Sequence, residues 1–467
     1  MKFIKCIIFL VILLETTITI AQKENIFLQR SYWQLNPSIS DIEEKIKEGH
    51  NITALNEHFF DAVSWALIEK TDNTTIKYLL TKQGNDVNKL THDARTYIFW
   101  AAYRDNLEMM KFLVNQGAKT DIIDSHGYSL LNFTAVTGQL NTKLYDFCIA
   151  HGADIVNEKN KEGANALLLV APFIKEYSFI EYFTSKGIDL HSTDQQGNGI
   201  FNYASKRGNT NLLDILVKKG VAYKGLNNNN GNAMLFASNG TRGHTNSLAT
   251  YQFLEKLGIA PNVTTKKGQT PLHALAYKSK ETDVLGYFLS KGVSINSKDH
   301  TGRTALTNAV QWGTTKVVDF LVANGADVSV KDNQGNTLAY YLLHSFDADQ
   351  PEMFNKKLTT LTKQGFDIKE RSEKNGGSLY HIALDKNNIT LLKRIKAFDI
   401  DVNTKNKEGI TPLHKAAMTA KDESILKYLL SIGADKNIKT DFEESVYDLA
   451  SENELLQKNK IAINFLK

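Results

Sequence analysis

Cysteine is nearly absent, at 2 in 467 residues. One of the two, Cys6, lies in an apolar N-terminal stretch; once that stretch is removed no internal disulfide is available, and packing alone must hold the chain. The other, Cys148 in YDFCIAHGAD, sits in an apolar helical context, where a thiol acts as a small core side chain. Proline is also scarce, at 6 residues, where an average usage of ~5% gives about 23. Few prolines mean few stiff extended linkers, which argues against separate domains strung in a row. No charge sign dominates: 55 Lys and Arg oppose 51 Asp and Glu, a net of +4. The longest basic runs are pairs such as Lys218-Lys219, whereas a nucleic-acid binder shows a basic excess or stripe. Wholesale disorder is excluded by 42% hydrophobic and 10% aromatic residues.

A long hydrophobic run is missing as well. The apolar stretch Cys6 to Leu14 is nine residues, well short of the ~20 that span a bilayer. Lys2 and Lys5 precede it, and Thr19-Ile20-Ala21 supplies small residues before Gln22. That layout reads as a secretory signal peptide over residues 1–21. It predicts an exported chain with no stable membrane span after cleavage, in the periplasm, at the cell surface or in the medium.

What is present is a repeat. Glycine follows an apolar run at Gly49, Gly84, Gly117, Gly152, Gly187, Gly220, Gly258, Gly292, Gly325, Gly365 and Gly433, with Asp399 at the equivalent place between the last two. The spacing runs from 33 to 40 residues with a mean near 35, so a count of domains at ~150 residues each does not apply. Residues 266–299 show the physics of one period. Thr270 can cap a helix whose first turn accepts Pro271, because that turn has no use for the missing N–H. Leu272, Ala274 and Leu275 give that helix an apolar face, and Val284, Leu285, Phe288 and Leu289 give one to a second. Gly292 suits the left-handed position after the second helix. Ser294 to Gly302 then alternates and turns at a polar tip. One such unit cannot bury its apolar faces, so neighbours must stack.

These residues resemble ankyrin repeats. The family's signature is intact at Thr270-Pro271-Leu272-His273 and Thr411-Pro412-Leu413-His414, and its Gly-Ala-Asp element at Gly152, Gly325 and Gly433. The resemblance implies an all-α helical solenoid with short β-hairpin or extended fingers, in about 11–12 units. The expected plan is a signal peptide (1–21), an N-terminal arm (22–40), the solenoid (41–442) and C-terminal capping helices (443–467), all after the signal peptide forming one continuous rod. Phe27, Tyr32 and Trp33 of the arm are expected over the first repeat, and Ser40 with Glu43 reads as a capping box. Most repeats lack the signature proline, which predicts looser helix starts. Extra residues near Gly240–Ser247 and Phe346–Glu352 mark insertions.

No constellation for catalysis appears. His273, His381 and His414 occupy the signature position, where the resemblance implies a structural role, and the other histidines are scattered without metal-ligand spacing. No nucleophile elbow or phosphate loop occurs, and Asn227 to Asn230 beside Gly231 reads as a polar fingertip. No catalytic residue, cofactor or metal is expected. Sequons at Asn51, Asn73, Asn132, Asn239, Asn262 and Asn388 are given no function.

The resemblance places variable contact positions at fingertips and first-helix ends. These are His92, Arg95, Tyr103, Arg104, His126, Tyr128, Phe173, Lys206, Arg207, Tyr277, Lys278, His300, Arg303 and Trp312. Tyr103 and Trp312 stand out as exposed anchors. Aromatic and Arg residues are the types enriched at interface hot spots. The reading is a non-enzymatic, monomeric scaffold that binds a protein through the concave face outside the cytoplasm. The alternative is a secreted effector or inhibitor that blocks an enzyme; an enzyme with a cryptic site comes last.

Overall fold

A computed structural model describes residues 24–371 and 374–467. The signal peptide read in residues 1–21 lies outside them. The chain divides into two compact units, one ending at Asp154 and the other running Ile155–Lys467.

Both units are built from short helix pairs, such as Tyr97–Tyr103 with Leu107–Asn115 in the first and Ala305–Trp312 with Thr315–Ala323 in the second. The two helices of a pair do different work. In Ala305–Trp312 every residue from Ala305 to Val310 is buried, because the helix is flanked by the first helices of both neighbours, Pro271–Lys278 and Leu338–His344. In Thr315–Ala323 only Val317, Val318, Leu321 and Val322 are buried, so it is amphipathic and faces outward. The twelve positions after the second helices all adopt positive φ, from 51° at Asp399 to 101° at Gly433. Eleven are glycine; at Asp399 the side chain costs about 1 kcal/mol.

Helix starts are not loose, contrary to what the missing prolines predict. Side chains cap several of them instead: Asp61 accepts from the Ser64 N–H at 2.9 Å, Asn165 from Leu168 at 3.0 Å and Ser129 from Asn132 at 3.2 Å. The first capping box also sits elsewhere. Ser38, not Ser40, caps Ile39–Lys47, with Asp41 reaching back to the Ser38 N–H at 3.0 Å.

The fingers are turns. No strand occurs among the described residues, and the isolated bridge Thr241 to His244 lies in a loop, so the hairpin reading is corrected. At several tips an Asp or Asn side chain organises the turn by accepting two backbone N–H groups: Asp124 from His126 (3.0 Å) and Tyr128 (2.8 Å), Asp332 from Gln334 (2.8 Å) and Asn336 (3.0 Å). Asn227 does the same at the asparagine-rich tip. Adjacent tips join through the backbone, His300 N–H to Lys267 O at 2.8 Å and Asn333 N–H to Thr301 O at 2.9 Å. Gly302 permits this approach: a Cβ there would stand 2.6 Å from the Asn333 nitrogen.

At several finger bases a second asparagine pins the finger to the next repeat. Asn296 donates to Gly325 O at 3.2 Å and accepts the Asp327 N–H at 2.9 Å, and Asn403 treats Gly433 and Asp435 alike at 2.9 and 2.8 Å.

In the first unit the arm is well packed. Phe27 and Trp33 are fully buried, and the Trp33 indole donates to Phe27 O at 3.0 Å. The insertion after Gly240 packs inward through Asn246, whose amide donates to Ser205 O and Ala237 O, both at 3.0 Å. In the other insertion Phe346 is buried edge-to-face on Phe354, 5.6 Å between centroids. Several sequon asparagines are engaged: Asn132 is buried, and Asn73 donates to Glu108 at 2.8 Å.

Candidate functional site

Geometry settles the chemistry of the signature histidines. His273 Nδ1 accepts the Thr270 N–H at 3.1 Å, and Nε2 donates to the Arg303 carbonyl of the next finger at 3.1 Å. His381 repeats this with Ser378 (3.1 Å) and Ile410 (2.9 Å). His414 accepts the Thr411 N–H at 3.1 Å, but its Nε2 lacks a partner. An Nδ1 that accepts an amide proton must be unprotonated, so the rings are neutral. Burial pushes all three pKa values down, that of His381 from 6.5 to about 4. His273 and His381 thus link each repeat to the next finger, and all three rings cap their own helix.

In the first unit the fingers and first-helix ends carry an aromatic run. Phe60 stacks on Trp65 at 4.3 Å and on His92 at 4.4 Å, and lies 5.6 Å from Trp100. His92 donates from Nδ1 to His58 O at 2.9 Å. The Asp93 carboxylate gathers His92 (3.3 Å), His126 (3.2 Å) and Arg95 (2.9 Å). Arg95, expected as a contact residue, is buried at 8% exposure. Its guanidinium binds Asp124 at 2.8 Å and lies 4.5 Å over the Phe133 ring. That corrects its role: it ties neighbouring fingers together. Tyr103 is half-buried, edge-on to Trp100 at 6.4 Å, with Arg104 over its ring at 5.6 Å, so it is not the exposed anchor expected. Tyr128 is half-buried and His126 exposed. Sequence reading missed the apolar rim here. Leu55, Phe59 and Leu90, which are 37%, 60% and 56% exposed, border an open depression of about 620 Å³ with His92. The signal was available, as apolar residues at fingertips that should be polar.

In the second unit the predicted residues converge. Trp312 is 53% exposed and meets Tyr277 edge-to-face at 5.8 Å. The Arg303 guanidinium lies between Trp312 (4.6 Å) and Tyr341 (4.8 Å), held by Gln311. Tyr277, Arg303 and Trp312, with Gln269, Asp299 and Asn308, line an open depression of about 530 Å³. Lys278 lies over Tyr277 at 5.7 Å and donates to the Asn239 carbonyl. Lys206, half-buried, sits over Tyr203 at 4.6 Å, while exposed Arg207 covers half-buried Phe173 at 5.1 Å. His300 is exposed on its fingertip.

Stacked helix pairs, turn-shaped fingers, buried signature histidines and an aromatic finger face define a helical-repeat interaction scaffold. Models of ankyrin repeats match residues 63–159 and 242–332 (three-copy form) and 380–430 (many-copy form). The putative ankyrin repeat protein FPV223 of Fowlpox virus (strain NVSL) is 32% identical over 137 residues, 29% of this chain and 89% of that protein. Rabankyrin-5 of Mus musculus is 27% identical over 175 residues, 37% of this chain. The nuclear factor NF-kappa-B p105 subunit of Gallus gallus is 27% identical over 191 residues, 38% of this chain. The matches cover only 14% and 18% of these two larger relatives. This chain belongs to the ankyrin repeat family.

Proposed function

We propose that the chain is a non-enzymatic scaffold that docks a protein partner, as a monomer and outside the cytoplasm, through its finger and first-helix face. The observation that carries this reading is the cluster of Trp312, Tyr277 and Arg303. A half-exposed indole braced by a second ring and a stacked guanidinium has the composition of an interface hot spot with its partner absent. Tyr277 is itself 37% exposed. Export rests on the pattern of residues 1–21 alone; amino-terminal sequencing of the natively expressed protein should find Gln22 first.

The docking reading is tested by affinity capture from the native extracytoplasmic fraction. Replacing Trp312 and Tyr277 together with Ala should weaken capture by roughly tenfold or more, as losing a hot spot does, while the melting curve stays in place. Capture at full strength by the double variant would overturn the site.

A further inference from the structure

The second unit's finger and first-helix face carries four cations with no carboxylate partner. Among the described residues Lys206, Arg207, Lys278 and Arg303 make no ion pair; each lies over aromatic rings, Tyr203 and Phe236, Phe173, Tyr277, and Trp312 with Tyr341 respectively. Elsewhere several cations are paired: Lys218 with Asp214 at 2.5 Å, Lys291 with Glu255 at 2.6 Å, Lys427 with Glu423 at 2.7 Å. The carboxylates nearest the unpaired strip are committed to fingertip turns. Asp194 accepts from Asn198 and the Tyr203 hydroxyl, both at 2.9 Å, Asp299 from Thr301 at 2.8 Å and Asp332 from the Tyr341 hydroxyl at 2.6 Å. Burial pushes the Lys206 and Lys278 amines below their ordinary pKa. Both amines have given up water without a direct ion pair, although Asp194 and Glu162 act on Lys206 from farther off and partly offset its burial.

We propose that this strip docks an acidic, aromatic-bearing peptide segment, whose carboxylates supply the missing counter-ions. This deepens the scaffold reading and rests on it. The spacing favours a peptide. Neighbouring first helices pack ~8–10 Å apart and three residues of extended chain cover ~10 Å, so carboxylates about six residues apart reach Lys206 and Lys278, whose helices flank Ala233–Asn239. A nucleic acid is disfavoured by the near-balanced charge of the whole chain, +4.

The test is fluorescence anisotropy on the full chain with a labelled peptide of five Glu-Leu-Tyr triplets, its Gln-for-Glu analogue and an oligothymidylate. The acidic peptide should bind at least ~10-fold tighter than the neutral one, and the gap should shrink as salt rises. Arg207→Gln and Lys206→Gln should each weaken it ~3-fold or more, whereas Lys316→Gln, which removes a second-helix partner of Glu281, should not. Arg207 is exposed, so its variant keeps the test independent of folding. Equal binding of both peptides, binding of neither, or displacement by oligothymidylate at equal affinity overturns the proposal. If Lys206→Gln and Arg207→Gln capture the native partner normally while the Trp312 and Tyr277 variant does not, the scaffold reading stands and the acidic partner falls.

Discussion

Lys357 is 1% exposed, yet its amine meets only the Val310 carbonyl, at 2.8 Å. Burial pushes its pKa from 10.5 down to about 8. The unfolded chain therefore holds a proton that the folded chain sheds between about pH 8 and 10.5. Stability rises with pH through that window, and below it the full penalty remains, on the order of 3 kcal/mol. Lys357→Met keeps the length of the side chain and removes the charge. It should raise the urea midpoint near pH 7, with the advantage fading as pH approaches 10.5; a variant no more stable than the parent would refute the burial argument. Nothing in FNKKLTT marks Lys357 as buried, because its partner lies 47 residues earlier. Arg95 was illegible for the same reason: its charge partner Asp124 comes 29 residues later. Trp312 was legible, since the resemblance places it at a helix end whose side chain points away from the stack.

At the scale of elements, the period and the left-handed glycine were readable, because backbone geometry and apolar spacing enforce them within a single repeat; the full burial of the first helix was not, because the first helices of both neighbours supply it. Asp399 at φ 51° shows how firmly the position is held even without glycine. The caps were misread where local signals compete. Ser38 with Asp41 and Ser40 with Glu43 are overlapping boxes, and the chain uses the earlier one. The asparagine staples were invisible, since they act between repeats. Asn296 replaces two water contacts of the next repeat with two protein hydrogen bonds. Asn296→Ala should cost about 1 kcal/mol, the usual net value of such bonds. It should lower the urea midpoint without changing the slope. An unchanged midpoint would mean that water serves Gly325 and Asp327 equally well.

For the whole molecule, the signature histidines set a direction for acid sensitivity. His273, His381 and His414 all belong to the unit that starts at Ile155. Their folded pKa values lie below the ordinary 6.5, that of His381 at about 4. Protons bind the unfolded chain first, so stability is full above pH 6.5 and falls as pH drops toward 4. Protonation places a hydrogen on Nδ1, where the cap N–H already points, and so breaks the cap, while the Nε2–H of His273 and His381 still donates to the next finger. His381 alone accounts for up to ~3 kcal/mol of this loss. The tryptophans separate the units: Trp33, Trp65 and Trp100 lie before Asp154 and Trp312 after it. In a variant with Phe at the first three, Trp312 fluorescence should report a urea midpoint that falls steadily between pH 6.5 and 4. Replacing His381 with Gln, which keeps a hydrogen-bonding side chain but cannot titrate there, should flatten that fall. A Trp312 midpoint with the same pH slope in parent and His381→Gln would show that the cap histidines do not carry the acid response.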